Sequence, residues 1–192
     1  RQWFIVEAKE EWEKVELGKI ADIKAGGDKP KIYSRIKTET CNIPIYSNGI
    51  DNVGLYGYTN TAKINIESIT ISARGTIGYV CLRQEPYVPI VRLIAIIPNE
   101  NYISSKYLYL WAKSQNISGT GTTQQQLTVP DFSRTTLILP PFEIMNKFTI
   151  YVDTLFFKIK SNTTQIRTLT ALRDILLPKL MSGEVRVEME EE

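Results

Sequence analysis

The sequence contains no histidine among its 192 residues. That absence removes Ser-His-Asp and Cys-His catalysis together with His-ligated zinc. Cysteine is scarce as well. Cys41 and Cys81 are too few for a four-thiolate zinc site and too sparse for a secreted disulfide scaffold, so both read as buried small hydrophobes. Long apolar runs are missing too: stretches such as Ile94–Pro98 and Leu137–Phe142 stop far short of the roughly 20 residues a membrane-spanning helix needs. Arg1 to Glu11 carries charges on both sides of a very short apolar run, unlike a signal peptide, so a cytoplasmic address with no membrane partner is expected. Neither a Walker lysine loop nor a GxGxxG after a strand occurs, which argues against nucleotide binding.

What is present is an ordinary globular composition. With 43% hydrophobic and 23% charged residues, the chain can bury a real core in one domain and carry an appended element. The formal charge of +2 conceals an asymmetry. Residues 184–192 hold Glu184, Glu188, Glu190, Glu191 and Glu192 against the single base Arg186, so the tail is acidic and the body before it basic. Between Lys19 and Lys37, the bases Lys19, Lys24, Lys29, Lys31, Arg35 and Lys37 face only Asp22 and Asp28. Such a surplus suits a phosphate backbone, where each neutralised phosphate releases counterions; a solvated face without a partner is the other reading.

The chain changes character near residue 140. Before it, Ile64–Ala73, Tyr79–Leu82 and Val91–Ile97 are rich in Ile, Val, Thr and Tyr, are broken by Gly, Pro and Asn, and predict strands in a β-rich body. A short helix is predicted from about Ser104 to Ser114, with Tyr107, Leu108 and Trp111 on one side and Ser104 or Ser105 as its cap. After Leu139-Pro140-Pro141 the pattern turns helical to about Leu177. Phe148, Val152, Leu155, Ile159, Asn162, Ile166 and Leu169 alternate in steps of four and three, and the phase then slips to Leu172 and Leu176. This seam predicts a rod on the order of 50 Å long that wants a partner helix. Asn162 sits in the seam, where a polar side chain selects register at a cost in stability. Pro178 is expected to end or bend the helix, with a turn at Ser182-Gly183 and a short strand over Glu184 to Val187.

Three motifs deserve weighing. Gly75-Thr76-Ile77-Gly78 matches the GxxG of an RNA-binding loop, but its flanks look like strands, so a hairpin turn is expected. Glu7-Ala8-Lys9 with Asp131 has the residue types of a metal-dependent nuclease in the wrong order and too far apart. The third is a set of polar loops: 47–52, 56–60 and Gly119 to Gln126. They are rich in amides, hydroxyls and Tyr, which can bond base edges or phosphate.

These residues resemble a known family. Glu11 to Ile23 (EWEKVELGKIADI) with Gly26-Gly27, then Asn42-Ile43-Pro44-Ile45-Tyr46 with Gly49, Ile71 to Gly78, Tyr107-Leu108-Tyr109, Gly121-Thr122-Thr123-Gln124, Leu139 to Glu143 and finally Leu172 to Val185 run in the order found in the specificity subunit of type I restriction-modification systems. Nearly the whole chain takes part. Two departures stand out. Phe142-Glu143-Ile144-Met145 replaces the usual Glu-Gln after Pro-Pro, and there is one recognition domain and one spacer helix where a typical subunit has two of each.

The resemblance implies an α+β chain: a β-rich target recognition domain over 1–141, a coiled-coil-forming spacer helix over 142–180 and an acidic tail over 181–192. It implies a non-catalytic subunit that reads double-stranded DNA and works with modification and restriction subunits, which alone use S-adenosylmethionine, ATP and magnesium. Phosphate contacts fall to Lys29, Lys31, Arg35 and Lys37, and base contacts to Asn48, Asn52, Tyr56, Arg74, Gln124, Gln125 and Gln126. A second copy is expected to fill the seam of Phe148, Val152, Leu155, Ile159, Asn162, Ile166, Leu169, Leu172 and Leu176, antiparallel, in a two-fold dimer. Two rivals remain: a stand-alone nuclease, and a helix-mediated interaction module without a nucleic-acid role.

Overall fold

The structure, a computed structural model, describes residues 12–115, 117 and 126–185. In chain order the elements are β1 (Glu13–Glu16), α1 (Leu17–Ile20), β2 (Ala21–Ala25), β3 (Ile43–Tyr46), a 3-10 turn (Asp51–Gly54), β4 (Leu55–Thr59) and β5 (Ser68–Ser72). They continue with β6 (Val80–Arg83), β7 (Val88–Pro89), β8 (Leu93–Pro98), α2 (Ser105–Ser114), α3 (Val129–Ser133), β9 (Thr136–Leu139) and α4 (Phe142–Ser182). The chain divides into two compact units, Arg1–Thr149 and Ile150–Glu192, with the boundary inside α4. The expected order, a sheet-rich body and then one long helix, is what the chain adopts.

Among the described residues, the first unit holds three sheets. The largest is antiparallel throughout, in the order β2-β8-β5-β6. A second runs β4-β3-β7, and a third pairs β1 with β9, so that Glu13 lies opposite Leu139. The expected strands appear with shifted bounds. The run from Ile64 is strand only from Ser68, and Ile64 itself makes a single bridge to Tyr87. Gly75 and Gly78 lie in the turn that joins the antiparallel pair β5 and β6, so the GxxG is indeed a hairpin turn.

β5 is buried at every position, and its alternation sorts two chemistries onto two faces. Ile69 and Ile71 sit on one. On the other, each polar side chain has a partner: Ser68 pairs with the Tyr87 hydroxyl at 2.9 Å, Thr70 accepts from Arg83 Nε at 2.9 Å, and Ser72 donates to the Asn48 carbonyl at 3.3 Å. That polar face is the platform under the loops described below. α2 packs against β5, β6 and β8. Its cap is Ser104, whose hydroxyl accepts from the Tyr107 amide at 3.2 Å. Lys106 forms an ion pair with Glu67 at 3.0 Å. Cys41 and Cys81 are both buried, as small hydrophobes would be.

Burial pushes three tyrosines, Tyr46, Tyr87 and Tyr107, up to about 12, because an apolar surround disfavours the phenolate. The sign is that of a raised group: the stability they contribute is full below pH 10 and is lost as pH rises from there through about 12. Phenolate absorbance should therefore show these three ionising late and together with alkaline unfolding. A titration in which all ten tyrosines ionise in one step near pH 10, with the fold intact, would remove them from the core.

α4 runs past Pro178 to Ser182, so the proline does not end it. It stands within the last turns and denies the helix one backbone donor. The stop comes at Gly183, with a φ of 75°, after which the Glu184 and Val185 amides donate to the Lys179 carbonyl. Residues 186 and 187 of the expected short strand lie outside the described residues. Two residues of the expected pairing seam are covered within the chain: Phe148 is 6% exposed and Val152 5%. Phe148 meets the Tyr107 ring edge-on, with centroids 5.9 Å apart. Leu155, Ile159, Asn162, Ile166, Leu169, Leu172 and Leu176 are exposed. The altered helix start also serves the body, since Met145 is buried and its sulfur accepts from Ser104 Oγ at 3.8 Å. Among the described residues, no helix is long and apolar enough to cross a membrane.

Candidate nucleic-acid interface

The basic loop that follows β2 is laid along β4. Ser34 and Tyr58 exchange backbone hydrogen bonds of 2.8 and 2.7 Å, and Thr59 Oγ1 donates to the Ile32 carbonyl at 2.7 Å. This seating brings the exposed residues Lys29, Tyr33, Arg35 and Tyr56 together. Lys29 Nζ stands 3.7 Å from the centre of the Tyr33 ring, and that ring lies 6.1 Å from the ring of Tyr56. A hydrogen bond from Lys29, then its charge and that of Arg35, hold the exposed Tyr33 hydroxyl below its usual pKa. Lys31 and Lys37 are exposed in the same loop. Cations interleaved with aromatic faces form a surface that can take phosphate oxygens on one group and a sugar or base on the next.

A second set of loops meets at the edge of the β5 platform. Asn48 Nδ2 donates to the Arg74 carbonyl at 2.8 Å, and the Asn48 carbonyl accepts from Thr76 Oγ1 at 2.5 Å. Its amide nitrogen is thus engaged in tying the 47–54 loop to the β5–β6 turn, which makes Asn48 a clip for that turn. Leu127 donates to the Ala73 carbonyl at 2.9 Å, and Gln126 before it is exposed. Gln124 and Gln125 lie outside the described residues, as do Glu7, Ala8 and Lys9. Asp131 is in the first turn of α3, where Thr128 Oγ1 donates to its carboxylate at 2.7 Å, a capping arrangement.

Between the two sets stands the 3-10 turn. Asn52 and Val53 both have left-handed backbones, with φ of 47° and 52°. Asparagine tolerates this; for a β-branched residue it costs on the order of 1–3 kcal/mol. Arg83 holds the turn in place. It is 4% exposed, donates from its terminal nitrogen to the Val53 carbonyl at 2.8 Å and from Nε to Thr70, and stacks 3.5 Å above the Tyr46 ring. The Tyr46 hydroxyl in turn donates to Glu85 Oε1 at 3.2 Å. From the sequence, Arg83 looks like one more surface base at the end of an apolar run, and Tyr33 like a loop residue. A signal for the second was Gly57 between two tyrosines, since glycine inside a strand marks a close backbone approach.

The chain is similar to known proteins. The family model described as "Type I restriction modification DNA specificity domain" matches residues 9–171. A putative type I specificity subunit of Mycoplasma pneumoniae is 33% identical over 149 residues, which cover 77% of this chain and 44% of that protein. The HindI specificity subunit of Haemophilus influenzae is 31% identical over 144 residues, covering 70% of this chain and 31% of its own length. The crystal structure of the type I restriction-modification S subunit from M. genitalium superposes with a TM-score of 0.73 at 19% identity, over 94% of this chain and 48% of that one. The chain thus spans less than half the length of these relatives.

Proposed function

Because the chain belongs to the DNA specificity domain family of type I restriction-modification systems, we propose that it is a sequence-reading subunit: its body reads one half of a split double-stranded DNA target, and its helix, paired with a second copy, sets the distance between halves. The reading rests on the basic, aromatic loop seated across β4. Scattered cations would be expected of an interaction module without a nucleic-acid role, whereas Lys29, Lys31, Arg35 and Lys37 share one exposed loop. Those four take phosphates. Asn52, Tyr56, Arg74 and Gln126 approach base edges, joined by Gln124 and Gln125, while Asn48 positions Arg74's turn.

The subunit performs no chemistry in this reading. Methyl transfer and cleavage fall to modification and restriction subunits, with their S-adenosylmethionine, ATP and magnesium, in the cytoplasm where the DNA is. Two identical readers on a two-fold axis call for an inverted-repeat target. Binding-site selection with the full chain plus a modification subunit should return such a repeat at one fixed spacing. An asymmetric target, or a pool that never converges, would defeat the proposal. Lys29→Ala and Arg35→Ala should each lower the slope of log affinity against log salt by about one unit while leaving the selected sequence unchanged. If both variants keep the parental slope, the phosphates lie elsewhere.

A further inference from the structure

The loop between β3 and β4 ends in three consecutive left-handed residues. Asn52, Val53 and Gly54 have φ of 47°, 52° and 81°. Two of them suit their places: asparagine tolerates such a backbone, and at Gly54 an added Cβ would stand 2.4 Å from the Ser47 carbonyl oxygen. Val53 does not, because a branched Cβ is poorly tolerated in this conformation and glycine or a second asparagine would relieve it. Packing gives little in return, since Val53 is 48% exposed. Exposed apolar residues are common, but one on a left-handed backbone is not. The strain is held in place. The Ser47 amide donates to the Gly54 carbonyl at 2.8 Å and closes the loop, the Val53 amide donates to the Ile50 carbonyl at 3.0 Å, and the buried Arg83 grips the Val53 carbonyl. The side chain is thus presented on a fixed stem, and its branched Cβ keeps χ1 stiff.

The surroundings identify the partner. Residues 47–54 hold no cation and one acid, Asp51, so this loop repels phosphate, while the neighbouring loops carry Lys29, Arg35 and Arg74. Asn48 ties it to the turn of Arg74, and it runs directly into β4 with the exposed Tyr56. A cation-free tip among cation-bearing loops is suited to base edges rather than to the phosphate backbone. The apolar group that a base pair offers there is the C5-methyl of thymine, in the major groove. Beside Val53, the exposed side chain of Asn52 has no hydrogen bond among the described residues, and its amide matches the N6 and N7 of adenine.

We propose that Val53 is a thymine reader: its two methyl groups rest on the C5-methyl of a thymine in the major groove, with Asn52 bonding an adenine beside it. This deepens the DNA reading above and rests on it. The strained backbone is what keeps the tip in one attitude before DNA arrives, so that little conformational entropy is lost when the contact forms. Arg83 acts through the turn as a positioning residue and itself touches no base, being buried against Tyr46 and Thr70.

Two measurements test this, one without DNA and one with it. Val53→Gly in the full chain should melt no lower than the parent, since glycine accepts the backbone that strains valine. A clear fall in Tm would make Val53 a packing residue and overturn the proposal. Random duplexes are then selected by the full chain with a modification subunit, for the parent and for Val53→Gly, and each thymine of the parental consensus is replaced in turn by deoxyuridine, which lacks only the C5-methyl. One such position in each half should lower parental affinity about fourfold, the worth of one buried methyl group. The same replacement should leave Val53→Gly unaffected, and the base preference there should be lost when Val53→Gly makes the selection. Parental affinity that no deoxyuridine changes, or an equal loss in both proteins, defeats the thymine reader and leaves DNA reading intact. A parental pool that never converges defeats DNA reading itself and this contact with it.

Discussion

Replacing Arg83 by methionine is expected to cost the body about 3 kcal/mol and to lower its Tm by on the order of 10 °C. The change keeps a long apolar stem but removes every polar tether of the guanidinium. The Val53 carbonyl and the Thr70 hydroxyl lose their donor in a region where water does not reach Arg83 itself. Each orphaned group costs about 1–3 kcal/mol, partly offset because a buried charge no longer has to be desolvated. The left-handed Asn52-Val53 backbone is released at the same time, so its strain is relieved as the turn loses its shape. Arg83→Lys should recover only a minor part, because an ammonium cannot serve both acceptors and lie flat on Tyr46. Thermal unfolding followed by circular dichroism decides this, and a methionine variant that melts with the parent would show that Arg83 does not hold the turn.

Gly57→Ala should strike the proposed DNA surface with little effect on the proposed helix pairing. An added Cβ would stand 2.5 Å from the Ser34 carbonyl oxygen and 3.6 Å from the Arg35 Cα, backbone atoms that cannot swing aside. The loop must therefore lift from β4, breaking the paired hydrogen bonds of Ser34 and Tyr58 and scattering Lys29, Tyr33 and Arg35 from Tyr56. Affinity for duplex DNA at low salt should fall about tenfold, or about 1.4 kcal/mol, because ordering the loop must now be repaid on binding. Anisotropy of a labelled duplex measures it. An unchanged affinity and salt slope would mean that the seated loop is not where DNA binds.

The elements that could be read in advance are those whose signals are local. Alternating Ile and Thr announce β5, Ser104 before Tyr107 and Leu108 announces α2, and steps of four and three announce α4. Pairing between distant segments carries no such mark. Nothing in Glu13–Glu16 names Thr136–Leu139 as its neighbour, and β7 is too short, at Val88–Pro89, to be seen as a strand at all. The candidate interface divides in the same way. Clustered bases are visible as a string of letters, so Lys29 and Arg35 could be picked out. Their company with Tyr33 and Tyr56 depends on β4 accepting the loop, a long-range event. The tethers of Asn48 and Arg83 are hidden for one reason: a polar side chain near the end of an apolar run looks wet, and only the fold reveals the carbonyl or hydroxyl that it bonds.

The clasp of β1 with β9 has a consequence for inheritance. Glu13 and Leu139 face each other across one ladder, with Cα atoms roughly 5 Å apart. The path into the globule and the path out of it are therefore neighbours, and everything between them is a detour that begins and ends at one doorway. Recombination can exchange such a detour for another with different letters while the threshold stays put.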